Sequence, residues 1–283
     1  MYYLILVIAA VLFSSQFLFN QKFEEECGSS FAASLLFSIR TSVSGFLVLF
    51  AINGFRLNFS CFSLFIAAIY ALTNTLYSIA SIKSFESVNL SVYSVFAMLG
   101  GMLIPSVYGI MFCNEEITIM KILCCIFIAA ALFFTIDTKK KSGKKIYYIT
   151  VFTLNGMVGV LSVIHQSGIS AVDSFSFLML ARIFSLLICA PIYFSKYKRA
   201  PKLTKKSLIY SAGFAAFCTI GNLFTLISLR HIQASVQYPI ITGGVMIISL
   251  IISLIRKEKI SCKNIISTVI AFISTILIAI PTF

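Results

Sequence analysis

SVNLSVYSVFAMLGGMLIPSVYGIMFCN, residues 87–114, contains no Asp, Glu, Lys or Arg, and it closes on Glu115-Glu116-Ile117-Thr118. About 20 mainly apolar residues are enough for a helix to cross the hydrocarbon core of a bilayer. HIQASVQYPIITGGVMIISLIISLI, residues 231–255, has the same design: no charge, paired glycines, and Glu258-Lys259-Ile260-Ser261 shortly after. The pairs Gly100-Gly101 and Gly243-Gly244 lie 143 residues apart, as do the two Glu-led tetrapeptides. The chain therefore reads as membrane-embedded, and as carrying one design twice.

Other charge-free blocks extend this reading. Residues 1–21, 57–82, 146–172 and 207–229 also lack Asp, Glu, Lys and Arg. Divided at turn and charge signals, the sequence predicts ten spans: 2–21, 30–52, 61–82, 88–112, 119–136, 146–165, 174–194, 207–229, 233–255 and 264–282. Composition agrees. Hydrophobic residues make up 59% of the chain and charged residues 11%, against roughly 25% charged in soluble domains. A soluble globule of this size would lack the polar residues to cover its surface. Continuous apolarity fits helices, whereas a membrane barrel would show short alternating segments. The first span lacks the basic start and small-residue cleavage site of a signal peptide, so it is expected to stay.

The net charge of +13 is concentrated in loops. Residues 139–145, 196–206 and 256–263 hold most of the Lys and Arg, and two spans separate each of these loops from the next. They share one side of the membrane, together with Lys22 and Lys83. Seventeen basic residues fall there, against three (Arg56, Lys121 and Arg230) on the other side. The positive-inside rule makes the lysine-rich side cytoplasmic and both termini external. A charge placed this way is a topology signal and not a nucleic-acid footprint. Eight cysteines without a CxxC pair, and two histidines, give no metal-site spacing. The cysteines act as small hydrophobes.

The repeat continues beyond the glycines. Tyr2-Tyr3 meets Tyr147-Tyr148, Gln21 meets Gln166, Arg40 meets Arg182 and Asn74 meets Asn222, in the same order. Each half then has five spans. An odd number inserts the second half upside down, giving an inverted-topology repeat. Such repeats enclose a midplane site and expose it alternately to the two sides. The divisions are 1–138 for the first repeat, 139–145 for a Lys-rich linker and 146–283 for the second repeat.

These residues resemble the EamA-like, ten-span type of the drug/metabolite transporter superfamily. The run Ala9–Phe17 is similar to that family's opening span, with Phe13-Ser14 where the family usually has Trp-Gly. Ser38-Ile39-Arg40 and Leu180-Ala181-Arg182 resemble its Arg-bearing second spans. The Asn74 and Asn222 spans resemble its third, and Glu115 and Glu258 the acidic position opening each last span. The resemblance covers nearly the whole chain and implies an all-α integral membrane transporter. Relatives usually keep both termini in the cytoplasm; the lysine loops here place them outside.

Ionisable groups inside spans are functional candidates by default. Arg40 and Arg182 qualify, as anion-attracting or gating groups or as side chains snorkelling to a helix end. Lys83, near Glu86, and Arg230 are further gating or structural charges. No acid sits deep in a span, so proton antiport through a buried carboxylate is not expected, nor is export of hydrophobic cations. His165 reads as a wetted interface residue. Neutral polar groups are plentiful, including Asn89, Ser91 and Ser94. Gln16, Asn74, Tyr93, Asn155, Asn222, Gln237 and Tyr238 are the candidates for substrate contact, on spans one, three, four, six, eight and nine. Gly100-Gly101 and Gly243-Gly244 permit close helix approach, and Pro105 and Pro239 interrupt spans four and nine.

The sequence thus predicts a cell-membrane transporter of a small polar, amino acid-like metabolite, working by alternating access. No catalytic motif, metal site or cofactor is expected. Its partners are a small-molecule substrate and membrane lipid, and one chain or a homodimer would suffice. The alternative is a non-transporting scaffold or lipid-binding protein, which predicts a packed polar network with no central cavity.

Overall fold

The computed structural model describes residues 2–84, 90–135, 145–197, 204–257 and 262–279. Glu86, Asn89, Asp137, residues 139–144, Lys198, Arg199, Lys202, Glu258 and Lys259 lie outside them, as do the side chains of Ser91, Ser94, Lys145, Tyr147, Tyr148 and Lys263. Among the described residues there are ten helices and no strand: α1 (Tyr2–Cys27), α2 (Phe31–Ile52), α3 (Cys61–Ser84), α4 (Leu90–Phe112), α5 (Ile119–Thr135), α6 (Lys145–Ser167), α7 (Ser174–Lys196), α8 (Lys205–Leu229), α9 (Ala234–Ile255) and α10 (Cys262–Ala279). Eight of them, all but α5 and α10, have the length and apolarity to cross a membrane. The protein is an all-helical, multi-pass membrane protein.

Most boundaries fall within two residues of the sequence reading, and two differences bear on its divisions. Helix α1 continues to Cys27, past the predicted end at 21, because Gln21–Glu26 are good helix formers with no Gly or Pro among them. Helix α6 begins at Lys145, the last residue of the predicted linker.

Helix ends are held by side chains. Ser30, Asp173 and Thr204 cap α2, α7 and α8, each accepting from the backbone N–H three residues on. Ser60 does the same for α3 through the Ser63 N–H. The caps satisfy donors that a helix leaves open at its start.

The lateral faces follow the solvent. On α1, Leu4, Val7, Ile8 and Val11 are exposed at helical spacing, while Leu6, Ala9 and Ala10 are buried on the other face. Apolar side chains facing outward on most helices suit lipid. Inside, α1 packs on α8 and α9, α4 on α6 and α9, α3 on α6 and α7, α2 on α7 and α8, and α5 on α10. One core cluster gathers Leu6, Phe17, Tyr93, Leu99, Met102 and Val245. A second gathers Leu49, Tyr70, Phe177, Leu180 and Leu226.

Lipid supplies little hydrophobic drive between helices, so close approach must do that work. At the α4–α6 crossing a Cβ on Gly100 would overlap the Phe152 carbonyl, and one on Gly156 would meet the Gly100 carbonyl oxygen at 2.8 Å. At the α1–α9 crossing a Cβ on Gly244 would stand 2.9 Å from that of Ala10. The paired glycines read from the sequence are packing surfaces at two helix crossings.

Two predictions follow from these contacts. Gly100→Ala forces α4 and α6 apart, since backbone cannot yield as a side-chain tip can. It should cost about 3 kcal/mol, the upper range for overpacking, read as a lowered melting temperature in detergent. Asp173, outside α7, is the pH-sensitive cap. Burial pushes its carboxyl up, but hydrogen bonds from Ser176 and from Asn58 outweigh this and hold it below the usual range. A depressed carboxylate stabilises the fold above the ordinary carboxyl pKa, and that stability is lost as pH falls through the depressed value. Asp173→Asn should keep most of the cap and lose this acid sensitivity. Asp173→Ala should lose about 1 kcal/mol at neutral pH.

Candidate functional site

Eight helices, α1 to α4 and α6 to α9, enclose a central cavity of about 90 Å³. That is room for several waters, at roughly 10–15 Å³ each by the same measure, or for a small solute. Gln16, Asn74, Asn155, Asn222 and Tyr238 all line it, brought from five helices and both halves of the chain. Beyond the helices anticipated, α2 contributes Thr41 and α7 contributes Arg182.

Backbone carbonyls orient two of the amides and the tyrosine. Asn155 Nδ2 donates to the Ala97 carbonyl of α4 at 2.7 Å. Gly101 makes the space for it, since a Cβ there would lie 2.5 Å from that nitrogen. Asn222 Nδ2 donates to the Cys218 carbonyl one turn back at 2.9 Å and reaches Cys218 Sγ at 3.2 Å. Tyr238 Oη donates to the Gly159 carbonyl at 3.0 Å. Gln16 is 7% exposed, and its Oε1 has no hydrogen-bond partner among the described residues.

Arg182 is 8% exposed, nine residues into α7. Its Nη2 donates to Thr219 Oγ1 at 3.2 Å and lies 3.7 Å from Cys218 Sγ, both on α8. The guanidinium therefore crosses to a neighbouring helix instead of snorkelling to the end of its own. Asn74, Asn222 and Arg182 also line an adjoining void of about 10 Å³, so the three are neighbours. Arg40, its counterpart in the repeat, is placed differently. It does not line the cavity; its Nη1 donates to Ser207 Oγ at 3.0 Å, in the first turn of α8, and its buried Nη2 has no partner among the described residues.

Tyr93 and Gln237, two expected contacts, stand behind the cavity wall. Tyr93 Oη bonds Tyr77 Oη at 2.7 Å and accepts from Ser81 Oγ at 2.7 Å, while Asn20 donates to Ser81 at 2.7 Å. The chain of bonds holds Tyr77, which does line the cavity. Gln237 is fully buried and donates to the Thr225 carbonyl at 2.8 Å. Lys83 lies in the last turn of α3, away from the cavity lining. Arg230 caps α8 and donates to Gln166 Oε1 at 2.9 Å beside an outer recess. His165 is buried, contrary to the interface reading: its ring stacks on Phe177 at 3.8 Å, and its Nε2 lies 3.0 Å from Ser63 Oγ. The small Ser63 and the flat Phe177 face together accommodate it.

Of the lining residues not anticipated, Tyr77, Ser78, Thr225 and Thr242 follow a readable rule. Tyr77 and Ser78 lie three and four residues after Asn74, Thr225 three after Asn222, and Thr242 four after Tyr238. Residues at these spacings share a helix face, so extending each marked polar residue by one turn would have found them.

The two halves also meet outside the cavity. Glu115, just before α5, accepts from the Ala234 and Ser235 N–H groups at 2.8 and 3.1 Å and so caps α9. Lys121 lies 3.8 Å from that carboxylate and donates to the Glu116 carbonyl at 2.8 Å and to Gln233 Oε1 at 3.0 Å. A carboxylate at a helix N-terminus is favoured by the helix dipole. Among the described residues no three of His, Cys, Asp and Glu gather as metal ligands would.

A helical membrane protein with a polar chamber between its two halves has the build of a carrier. Residues 145–280 match the sequence model of the EamA-like transporter family. One solved crystal structure shares the fold over 98% of this chain and 96% of its own, with a TM-score of 0.72 and 11% identity. At that identity the likeness concerns the fold alone. No curated protein matches the sequence.

Gly45 on α2 makes room for Arg182. A Cβ there would stand 2.7 Å from Thr219 Oγ1 and 3.1 Å from Arg182 Nε. Gly45→Ala should cost about 1–3 kcal/mol by overpacking. Gly45→Ala with Thr219→Ala should recover part of this, measured as non-additivity of the two melting-temperature shifts.

Proposed function

We propose that the protein carries a small polar, amino acid-like metabolite across the cell membrane by alternating access, with ten spans arranged as two inverted five-helix repeats. The observation that carries this reading is the central cavity, lined from both halves by Gln16, Asn74, Asn155, Asn222 and Tyr238. Midplane sites between inverted repeats are where carriers bind their cargo.

The packing pattern supports the repeat. Pairing α1 to α5 with α6 to α10 maps the α1–α8 contact onto α6–α3, α4–α6 onto α9–α1, and α3–α7 onto α8–α2. The α2–α7, α4–α9 and α5–α10 contacts map onto themselves. The same pairing relates the two glycine crossings. One chain holds both halves, so a single copy is the proposed transporting unit. The lysine-bearing ends of α7, α8 and α9 lie at one end of the bundle with the C-terminal end of α1, where Arg256 contacts Gln21 and Glu25. By the positive-inside rule that end faces the cytoplasm. Tyr93 and Gln237 act from behind the wall, positioning Tyr77 and α8, and the other named polar groups touch cargo.

The test is counterflow of labelled small metabolites into proteoliposomes holding the full chain. Wild type should exchange at least one polar metabolite. Asn74→Ala and Asn222→Ala should each lower exchange about tenfold, as loss of one hydrogen bond to cargo costs about 1–1.5 kcal/mol. Absence of exchange for every metabolite, by protein that unfolds cooperatively, would favour the scaffold reading.

A further inference from the structure

We infer that the ligand of the central cavity is a small hydroxylated monocarboxylate, held through its carboxylate by Arg182. The inference rests on the carrier reading of the cavity and departs from its amino acid-like cargo, assigning a monoanion in place of a zwitterion.

The first argument is charge. Among the described residues lining the cavity, Arg182 alone carries a formal charge, and no Asp or Glu stands with it. The ion pairs among the described residues, Lys121 with Glu115 and Arg256 with Glu25, both lie elsewhere. Arg182 bonds a hydroxyl and approaches a thiol, both neutral. A guanidinium keeps its charge in proteins. A buried charge with only neutral partners is costly, and an incoming anion relieves that cost. A monoanion brings the chamber to neutrality. A cation adds to the uncompensated charge, and a zwitterion leaves it unchanged.

The second argument is geometry. The guanidinium fork matches a carboxylate in two parallel hydrogen bonds. Arg182 sits with Asn74 and Asn222 where the main cavity meets its small annex. A snorkelling side chain would leave this position for a helix end; Arg182 is held in place by Thr219 and by the gap at Gly45. Arg40 shows the other outcome, engaged at Ser207 beyond the cavity lining.

The third argument is the acceptor surplus. Asn155 and Asn222 each commit an amide N–H to a backbone carbonyl, and Gln16 Oε1 has no partner among the described residues. Side-chain carbonyls are acceptors, so the remainder of the ligand is matched by hydroxyl donors.

The experiment separates this inference from the carrier reading by using a binding assay alongside counterflow. Full-length protein in nanodiscs is titrated with glycolate, lactate and glycerate, and with serine, ethanolamine and glycerol as zwitterionic, cationic and neutral probes of similar size. At least one monocarboxylate should raise the melting temperature more than every other probe. Arg182→Gln should weaken that binding by about 30-fold or more, as expected for truncating one side of a buried charge pair. Arg182→Lys, which keeps the charge and loses the fork, should fall between. Arg40→Gln, which removes a half-buried guanidinium, should leave the preference for monocarboxylates intact. Stabilisation by none of the monocarboxylates overturns the inference. So does equal binding by Arg182→Gln in a variant that still unfolds cooperatively. Exchange of serine, ethanolamine or glycerol that survives Arg182→Gln overturns the inference while leaving the carrier reading standing.

Discussion

Close contact between helix backbones is the constraint on which this protein depends. In lipid, apolar surface gains little by leaving one apolar neighbour for another, so helices are held by fit. The α4–α6 crossing has no side chain between Gly100 and the Phe152 carbonyl. The matching α1–α9 crossing brings Gly244 to Ala10. These two seams join the halves to each other, since each pairs a helix of one half with a helix of the other. The cavity lies between them. Gly101 and Asn155 show how directly it depends on the seam: the glycine next to the contact point gives the asparagine its room.

The same fit explains why polar groups survive so far from water. Most lining side chains that donate do so to a backbone carbonyl, within a turn or across one seam. Asn222 reaches Cys218, Asn155 reaches Ala97, and Tyr238 reaches Gly159. Such bonds satisfy the donor and fix the rotamer, and they leave acceptors turned to the chamber. Behind the wall, Asn20, Ser81, Tyr93 and Tyr77 form a continuous chain across α1, α3 and α4. Serial bonds of this kind strengthen one another, although Asn20 Oδ1 at one end of the chain has no partner among the described residues. Tyr93 shapes the cavity without touching it.

Helix positions were readable because apolarity of membrane length is a composition signal and needs no knowledge of packing. Most boundaries fall within two residues of those expected; the C-terminal extension of α1 does not, since a helix runs past the bilayer wherever its residues favour it. Asn74, Asn155 and Asn222 were legible for a related reason: a polar residue amid apolar ones stands out. Their neighbours one turn away, such as Thr225 and Thr242, were not, because Ser and Thr are ordinary within membrane helices. Tyr93 and Gln237 looked equivalent to Tyr238 in sequence. Rotation about the helix axis separates them, and a polarity count does not measure rotation.

The arginines carry the hardest lesson, because the repeat made them look alike. Symmetry in sequence argues for a shared structural role, and Arg40 and Arg182 do not share one. The difference lies in what surrounds them. At the offset that pairs the two arginines, Gly45 falls on Leu187; at the offset that pairs Asn74 with Asn222, Thr219 falls on Ala71. Arg182 has a gap to enter at Gly45 and a hydroxyl to meet on Thr219, whereas Arg40 meets Ser207 in the first turn of α8. Under the proposed inverted repeat the two halves would supply two half-sites, and one charged half-site is enough to bind one anion. A second guanidinium in the same chamber would add charge repulsion in a medium that screens it poorly. The gap at Gly45 and the Thr219 hydroxyl therefore give a physical route from two arginines paired in sequence to a chamber lined by one.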